Sequence, residues 1–224
     1  MPRPRSTIRD GAGDEAADLW IAGRADHSLL AVALAESFHD GDLARWLVPD
    51  PHERAAIYPG YFGLLLDGFL ARPSVRIEVA GSFHGVAIWV DVTTRFSLPI
   101  PDYERRLAAS CDPHTDRFAA LDAAMEHRHP FGPHEYLAYL AVVPKHHGQG
   151  IGSLLLRHRL TRLDAAGRTA YLEATGDRNV ALYQRHGFRE LASIPIGDEV
   201  ALRPMYREPN PDLRDPPRNR RGPS

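Results

Sequence analysis

A run of closely spaced glycines lies between Pro144 and Ser153, where the sequence reads PKHHGQGIGS. Gly148, Gly150 and Gly152 alternate with other residues, so several backbone N–H groups can point to one place with no Cβ in the way. The first amides of a helix lack partners inside that helix, and a helix that began here would add them to the same place. The pattern therefore predicts a site for a pyrophosphate.

The segments on either side of this run agree with that prediction. An apolar, strand-like segment, residues 136–143, precedes the glycines, and an apolar, helix-like segment, residues 151–166, follows them. Both faces of the first segment are largely apolar, as expected of a strand that is covered on both sides. We therefore place this strand at the centre of a sheet.

Two common phosphate-binding motifs fit this run poorly. The dinucleotide fingerprint G-x-G-x-x-G requires a glycine at position 153, where the chain has Ser153, and the P-loop requires a Gly-Lys pair, which the run lacks. The spacing therefore disfavours both a dinucleotide enzyme and a P-loop enzyme.

The spacing does resemble the acyl-CoA loop of the GNAT N-acetyltransferase superfamily, which reads Arg or Gln, two residues, Gly, one residue, then Gly or Ala. The matching window is residues 147–152, with His147 in the Arg or Gln position. A second block, YLEATGDRNVALYQRHGF at residues 171–188, resembles the segment in which these enzymes place a strand, an Asn, a helix carrying a Tyr, and a Gly-Phe pair. The resemblance covers residues 136–188.

This resemblance implies a fold, a cofactor and a binding mode. The implied fold is mixed α/β, of the α+β type, with a twisted, mostly antiparallel central sheet flanked by helices. Two central strands, residues 136–143 and 170–174, would splay apart and leave main-chain groups free to pair with the pantetheine arm of acetyl-CoA, as a peptide does at a sheet edge. The residues implied in cofactor binding are Leu140, Ala141, Val142, His147, Gly148, Gln149, Gly150, Ile151, Gly152, Ser153, Asn179 and Tyr183.

Acetyl transfer to an amine needs a base and gains from a proton donor. An alkyl amine with a pKa of about 10.4 is neutral in only about one molecule in a thousand near pH 7.4, which costs about 4 kcal/mol. Glu173, in the strand AYLEAT, is the candidate base, because burial among apolar neighbours makes a carboxylate more basic. The alternatives are a Glu173 that faces solvent or pairs with an arginine, a water relay, and an acceptor that needs no base.

Tyr183 is the candidate proton donor, since a phenol can give a proton to a departing thiolate. It lies four residues after Asn179, so the two share one face of the predicted helix. The alternative is that Tyr183 is a packed aromatic residue. Asn179 would hold the pantetheine or, from its residue preferences alone, cap a helix that follows Gly176 and Asp177.

Periodicity predicts further elements ahead of the strand at residues 136–143. They are helices at 26–38 and 52–70, a hairpin of 74–79 with 85–92, and a helical excursion at 99–133. Pro59 and Gly60 predict an interruption in the second helix. We expect the early helices and the excursion to line the acceptor side of the site.

Length, composition and charge limit the function classes. With 224 residues and 43% hydrophobic content, the chain can bury one large core, and we expect one domain at 7–207 between disordered tails at 1–6 and 208–224. The formal charge of −2 gives no electrostatic case for nucleic-acid binding. No apolar stretch of transmembrane length and no signal-peptide pattern occur, so we expect a cytoplasmic protein with no membrane partner.

The twelve histidines and one cysteine raise the question of a metal site. No H-E-x-x-H motif occurs and a lone Cys111 cannot supply a multi-cysteine zinc site, so we expect no metal. Single histidines are more often surface or satisfied core groups than ligands, which is our expectation for His134, His158 and His186. We expect a solvated helix face at Arg157, Arg159 and Arg162.

The sequence therefore predicts an acetyl-CoA-dependent N-acetyltransferase that acts by direct attack in a ternary complex. The expected partner is a primary amine of a small molecule, such as an antibiotic or a xenobiotic, and a homodimer is left open. The alternatives are a non-catalytic acyl-CoA-binding module and an enzyme that acetylates a protein N-terminus or a lysine.

Overall fold

The computed structural model describes residues 7–8, 18–197 and 200–213. The tail expected at residues 1–6 and residues 214–224 of the tail expected at 208–224 lie outside the described residues. Nine strands occur in the described residues, in chain order β1 (Thr7–Ile8), β2 (Leu19–Ile21), β3 (Val75–Ala80), β4 (Gly85–Val92), β5 (His134–Val142), β6 (Ala170–Ala174), β7 (Arg189–Glu190), β8 (Ile194–Ile196) and β9 (Val200–Arg207).

Seven α-helices connect or flank these strands in the described part of the chain. They are α1 (His27–Ser37), α2 (Asp42–Leu47), α3 (Pro51–Leu70), α4 (Tyr103–Cys111), α5 (Thr115–Arg128), α6 (Ile151–Ala165) and α7 (Asp177–Arg185). The predicted excursion before β5 is thus the helix pair α4 and α5. The predicted hairpin is β3 with β4.

One twisted sheet runs through the molecule in the order β1-β2-β3-β4-β5-β6-β9-β7, and β8 pairs with β9 off this path. Among the described strands, neighbours pair antiparallel except β5 and β6, which pair parallel. The mixed, mostly antiparallel architecture expected from the sequence is confirmed.

Each face of the sheet is covered by a different set of helices. One core contains Ile88, Tyr136 and Tyr171 from the sheet and is closed by α1, α3, α4 and α5. The other core contains Trp89 and Leu172 and is closed by α6 and α7. Alternate residues of β4 and β6 therefore enter opposite cores, which explains why these strands are apolar on both sides.

The predicted interruption of α3 at Pro59 and Gly60 is wrong, because this helix is continuous from Pro51 to Leu70. It begins well capped: the Asp50 carboxylate accepts hydrogen bonds from the amides of His52 and Glu53, at 2.8 and 2.9 Å. Pro59 removes one internal hydrogen bond, but this residue and Ala55, four positions earlier, lie on the exposed side of the helix, where water can satisfy the free carbonyl.

The two central strands β5 and β6 separate soon after they meet. They pair only at Glu135 with Ala170 and at Tyr136 with Tyr171, whereas β5 continues to pair with β4 as far as Val142. A bulge at Ala138 bends β5 where the separation begins, since Ile88 pairs with Tyr139 and Trp89 with Leu137. The expected splay is confirmed, and it leaves an opening beside the second half of β5.

Candidate active site

The glycine loop joins the end of β5 to the start of α6. A short 3-10 turn, Pro144–His146, is followed by Gly148 and Gly150, whose φ angles of +79° and +77° lie in the left-handed region that favours glycine. A Cβ added at either position would meet nothing within 4 Å. The backbone amides at the start of α6 therefore border open space that fits an anionic phosphate group.

This space is a groove of about 410 Å³ between the glycine loop, the end of β5 and α7, which we call the cofactor groove. Eleven of the twelve residues expected to bind cofactor line it: Leu140, Ala141, Val142, His147, Gly148, Gly150, Ile151, Gly152, Ser153, Asn179 and Tyr183. The exception is Gln149, whose side chain folds back to donate to the Lys145 carbonyl at 3.4 Å.

His147 has a contact that its sequence position did not predict. Its Nε2–H donates to the backbone carbonyl of Val142 at 2.8 Å. The imidazole thus ties the glycine loop to the open end of β5.

The arginines that border the cofactor groove are Arg178 and Arg185 of α7, both exposed. The arginines singled out from the sequence lie elsewhere: Arg159 pairs with the buried carboxylate of Glu135, and Arg162 donates to the His158 carbonyl at 2.7 Å. Arg178 and Arg185 are seven residues apart, which places them on one side of α7. This spacing is the sequence signal that could have identified them as groove residues.

Asn179 does not cap α7, so that interpretation is wrong. The N-cap is Gly176, and Asn179 is the third residue of the helix. Its Nδ2 donates to the carbonyl of Thr175 at 2.9 Å. The side chain therefore ties the first turn of α7 to the end of β6, at the edge of the splay.

Tyr183 lies where the cofactor groove meets a second cavity. This second cavity, the junction cavity, has a volume of about 350 Å³ and is bordered by residues of α2, α3, α5, α7, β5, β6 and β9. The ring of Tyr183 packs edge-on against Phe188, and its hydroxyl has no hydrogen-bond partner among the described residues. Burial raises the pKa of Tyr183 above its ordinary value, so the phenol keeps its proton at neutral pH.

Glu173 reaches the same junction cavity from the opposite side of the sheet. Its side chain is only 3% exposed, and His129 Nδ1 lies 3.7 Å from the carboxylate Oε1, too far for a hydrogen bond. Glu173 therefore neither faces solvent nor pairs with an arginine, which excludes both of those alternatives. Burial first, and then the Glu173 carboxylate, raise the pKa of the neighbouring Tyr136.

Two buried histidines continue from Glu173 away from the cavity. His134 Nδ1–H donates to the Gly132 carbonyl at 2.9 Å, which leaves its Nε2 free to accept from His129 Nε2–H at 3.0 Å. In this arrangement His129 Nδ1 carries no proton and faces Glu173. Burial lowers the pKa of His134, which favours its neutral form. His134 is a satisfied core group, as the sequence analysis expected.

No role for His129 was predicted from the sequence, so its position beside Glu173 is new. Its ring packs edge-on against Tyr136 and Tyr171, with centroids 4.6 and 5.1 Å away. Nothing in the local sequence signals this contact, because His129 follows α5 while Glu173 lies more than forty residues later.

Two further properties bear on the class of protein. In residues 7–8, 18–197 and 200–213, no group of three or more His, Cys, Asp or Glu side chains is arranged to hold a metal ion. None of the helices in the described ranges is long and apolar enough to span a membrane.

A family model for the acetyltransferase (GNAT) domain matches residues 115–190, a range that holds β5, the glycine loop, Glu173 and Tyr183. Among solved structures, a Corynebacterium glutamicum protein named for histone acetyltransferase HPA2 and related acetyltransferase is 30% identical. That match covers 87% of this chain and 97% of the other, with a TM-score of 0.63.

Two more distant structures share the fold. Arylalkylamine N-acetyltransferase 2 from Aedes aegypti is 14% identical over 86% of this chain and 98% of the other, with a TM-score of 0.59. A mosquito arylalkylamine N-acetyltransferase like 5b is 13% identical over 85% of this chain and 98% of the other, with a TM-score of 0.53. The Corynebacterium match and the domain model show that the chain belongs to the GNAT acetyltransferase family and is an N-acetyltransferase.

Proposed function

We propose that the chain transfers the acetyl group of acetyl-CoA to a primary amine of a small molecule, by direct attack in a ternary complex. One observation carries this proposal: Glu173 and Tyr183 border the same junction cavity from opposite sides of the open splay. Tyr183 also borders the cofactor groove, so it lies where the two cavities meet.

The cofactor half of the site fits acetyl-CoA. The amides at Gly150 and the start of α6 would hold the pyrophosphate, Arg178 and Arg185 would add positive charge, and the free main-chain groups of β5 would pair with the pantetheine arm. Bound there, acetyl-CoA supplies an acetyl thioester with a thiolate leaving group.

The chain's own residues then handle two protons. Glu173 takes the proton of the acceptor nitrogen as the new C–N bond forms, and Tyr183 gives its proton to sulfur as the C–S bond breaks. Burial makes the departing thiolate more basic as well, so the proton can pass from the phenol to sulfur. His129 Nδ1, which carries no proton in this arrangement, lies 3.7 Å from the Glu173 carboxylate and can accept a hydrogen bond once Glu173 is protonated.

Several features support a small amine as the acceptor. The junction cavity is concave and bordered by seven secondary-structure elements, which suits a small molecule better than an extended peptide. The fold relatives named above include arylalkylamine N-acetyltransferases. The run from Leu172 to Phe188 also resembles that of puromycin N-acetyltransferase, which points to antibiotics as one group of amines to test.

The test is a panel of acceptors with acetyl-CoA, in which the release of free CoA is measured with a thiol reagent. The panel contains arylalkylamines, polyamines, puromycin and a histone-tail peptide. We expect amine-dependent CoA release with at least one small amine, and a rate about 10²–10⁴-fold lower with Tyr183→Phe at the same protein concentration. Acetylation of the peptide alone would contradict the small-molecule proposal, and acetyl-CoA binding without transfer to any acceptor would contradict the proposed reaction.

A further inference from the structure

A third cavity of about 260 Å³ lies beyond the junction cavity, on the side away from the cofactor groove. We call it the aromatic pocket, because aromatic side chains from α3, α4, β5 and the segment before α4 dominate its wall: Tyr61, Phe69, Phe96, Tyr103, Tyr136 and Tyr139. It is slightly smaller than the roughly 300 Å³ at which pockets for whole small ligands begin, so it suits part of a ligand.

The three cavities follow one another in space. The aromatic pocket and the cofactor groove share no lining residue, whereas the junction cavity shares residues with both. Tyr61, Met125, Ala138 and Tyr139 border both the aromatic pocket and the junction cavity. A molecule whose amine lies beside Glu173 can therefore extend its body into the aromatic pocket.

One carboxylate in the aromatic pocket has no cationic partner. Asp122 of α5 accepts a hydrogen bond from the Tyr103 hydroxyl at 2.5 Å, and it makes no ion pair with any residue that the structure describes. Glu126, one helical turn later, is different: it is exposed and pairs with Arg95 at 2.6 Å. Partial desolvation of an ionised carboxylate costs free energy unless a cation pairs with it. Asp122 therefore favours the binding of a cationic group in this pocket.

The aromatic rings around Asp122 also suit a ligand that carries a cationic group. Burial and then the Asp122 carboxylate raise the pKa of Tyr103 and of Tyr139, so both rings stay neutral and lie within electrostatic range of this carboxylate. The faces of neutral aromatic rings attract cations, and their area favours an apolar body. Burial raises the pKa of Asp122 to about 6, which leaves it ionised at neutral pH.

We propose that the acceptor is an amine with an apolar or aromatic body and a second cationic group, which Asp122 binds in the aromatic pocket. This inference rests on the proposed function, since it places the acetylated nitrogen of the same molecule beside Glu173. It assigns Asp122 as the residue that determines specificity for the far end of the acceptor.

The test compares acceptors that differ only in the second charge. One pair is 1,4-bis(aminomethyl)benzene and 4-ethylbenzylamine, and a second pair has one more methylene on each arm. With wild-type protein, we expect kcat/KM for the diamine to exceed that for the matched monoamine by at least about tenfold in the better pair. The value for the diamine is first corrected for its two equivalent amino groups.

Asp122→Asn keeps the acceptor for the Tyr103 hydroxyl and removes the charge. We expect this variant to lower the diamine preference to within about threefold of unity, while Asp116→Asn, the matched change at an exposed aspartate of α5 outside the pocket, retains it. Melting curves and acetyl-CoA affinity, measured for both variants, show that the fold and the cofactor groove are intact.

The outcomes separate the two proposals. Acetylation of both partners at equal efficiency by wild type, or an unchanged preference in Asp122→Asn, overturns the assignment of Asp122 and leaves the proposed function standing. Acetyl-CoA binding with no acetylation of any amine overturns the proposed function and this inference with it.

Discussion

The two halves of the site are built by different means. In the proposed site, the cofactor half would use main-chain groups from a short stretch, the end of β5 and the glycine loop. The proposed acceptor half would use side chains that lie far apart in sequence, among them Tyr61, Asp122, His129 and Glu173. A site made of main chain leaves a local glycine pattern in the sequence, whereas a site made of distant side chains leaves none.

The cofactor half should fail completely when its backbone geometry is blocked. Gly150→Val places a branched Cβ in the open space at the start of α6 and forces a strained left-handed φ, so acetyl-CoA affinity should fall by about 100-fold or more. Isothermal titration calorimetry measures the acetyl-CoA affinity of each variant. Gly132→Val is the matched control, because Gly132 also has a positive φ and no atom within 4 Å of an added Cβ, yet lies outside the groove. Equal losses in both variants would mean that strain alone explains the effect.

The contrast between the halves also explains how far the sequence could be interpreted. The strand, glycines and helix around Gly150 follow one another in the chain, so their arrangement was predictable to within two residues. Asn179 was misinterpreted because residue preference suggested a cap, while Gly176 with its positive φ already ends the turn before α7. The approach of α5 to β6, which brings His129 to Glu173, depends on tertiary packing that no local pattern specifies.

The acceptor half should lose rate without losing cofactor. Glu173→Gln should lower kcat/KM by about 10²–10⁴-fold at pH 7.4, with unchanged acetyl-CoA affinity, because the base is lost. Its remaining rate should rise about tenfold per pH unit toward the pKa of the amine, as more free amine forms. Glu78→Gln, which removes the carboxylate of the buried Glu78–His158 pair outside the site, should keep kcat/KM within about threefold, well short of the loss of a general base. Equal losses in the two variants would argue against a base at Glu173.

His129 should matter only through Glu173. His129→Phe keeps a ring among Tyr136 and Tyr171 and removes both nitrogens, so we expect a loss in kcat/KM of up to about tenfold, the value of one hydrogen bond. In the Glu173→Gln background the same change should have almost no effect. Independent losses that multiply in the double variant would show that His129 has only a packing role.

The smallest expected effect concerns stability at Asp122. Burial raises its pKa to about 6 from an ordinary 3.8, so the ionised carboxylate destabilises the folded state above pH 6. That penalty disappears as the pH falls from about 6 to below the unfolded value. Asp122→Asn should therefore raise Tm by about 2–4 °C at pH 8, with no gain near pH 3.5. A gain that is independent of pH would indicate a packing effect.

The central claim is that proton acceptor and proton donor meet from opposite sides of the splay, and Tyr183→Phe tests it most directly. The change keeps the ring against Phe188 and removes only the unpartnered hydroxyl. With saturating acetyl-CoA and an acceptor from the amine panel, kcat should fall by about 10²–10⁴-fold while acetyl-CoA affinity stays the same. A kcat within about threefold of wild type would lie far outside that range and contradict the account, because Tyr183 would then only pack.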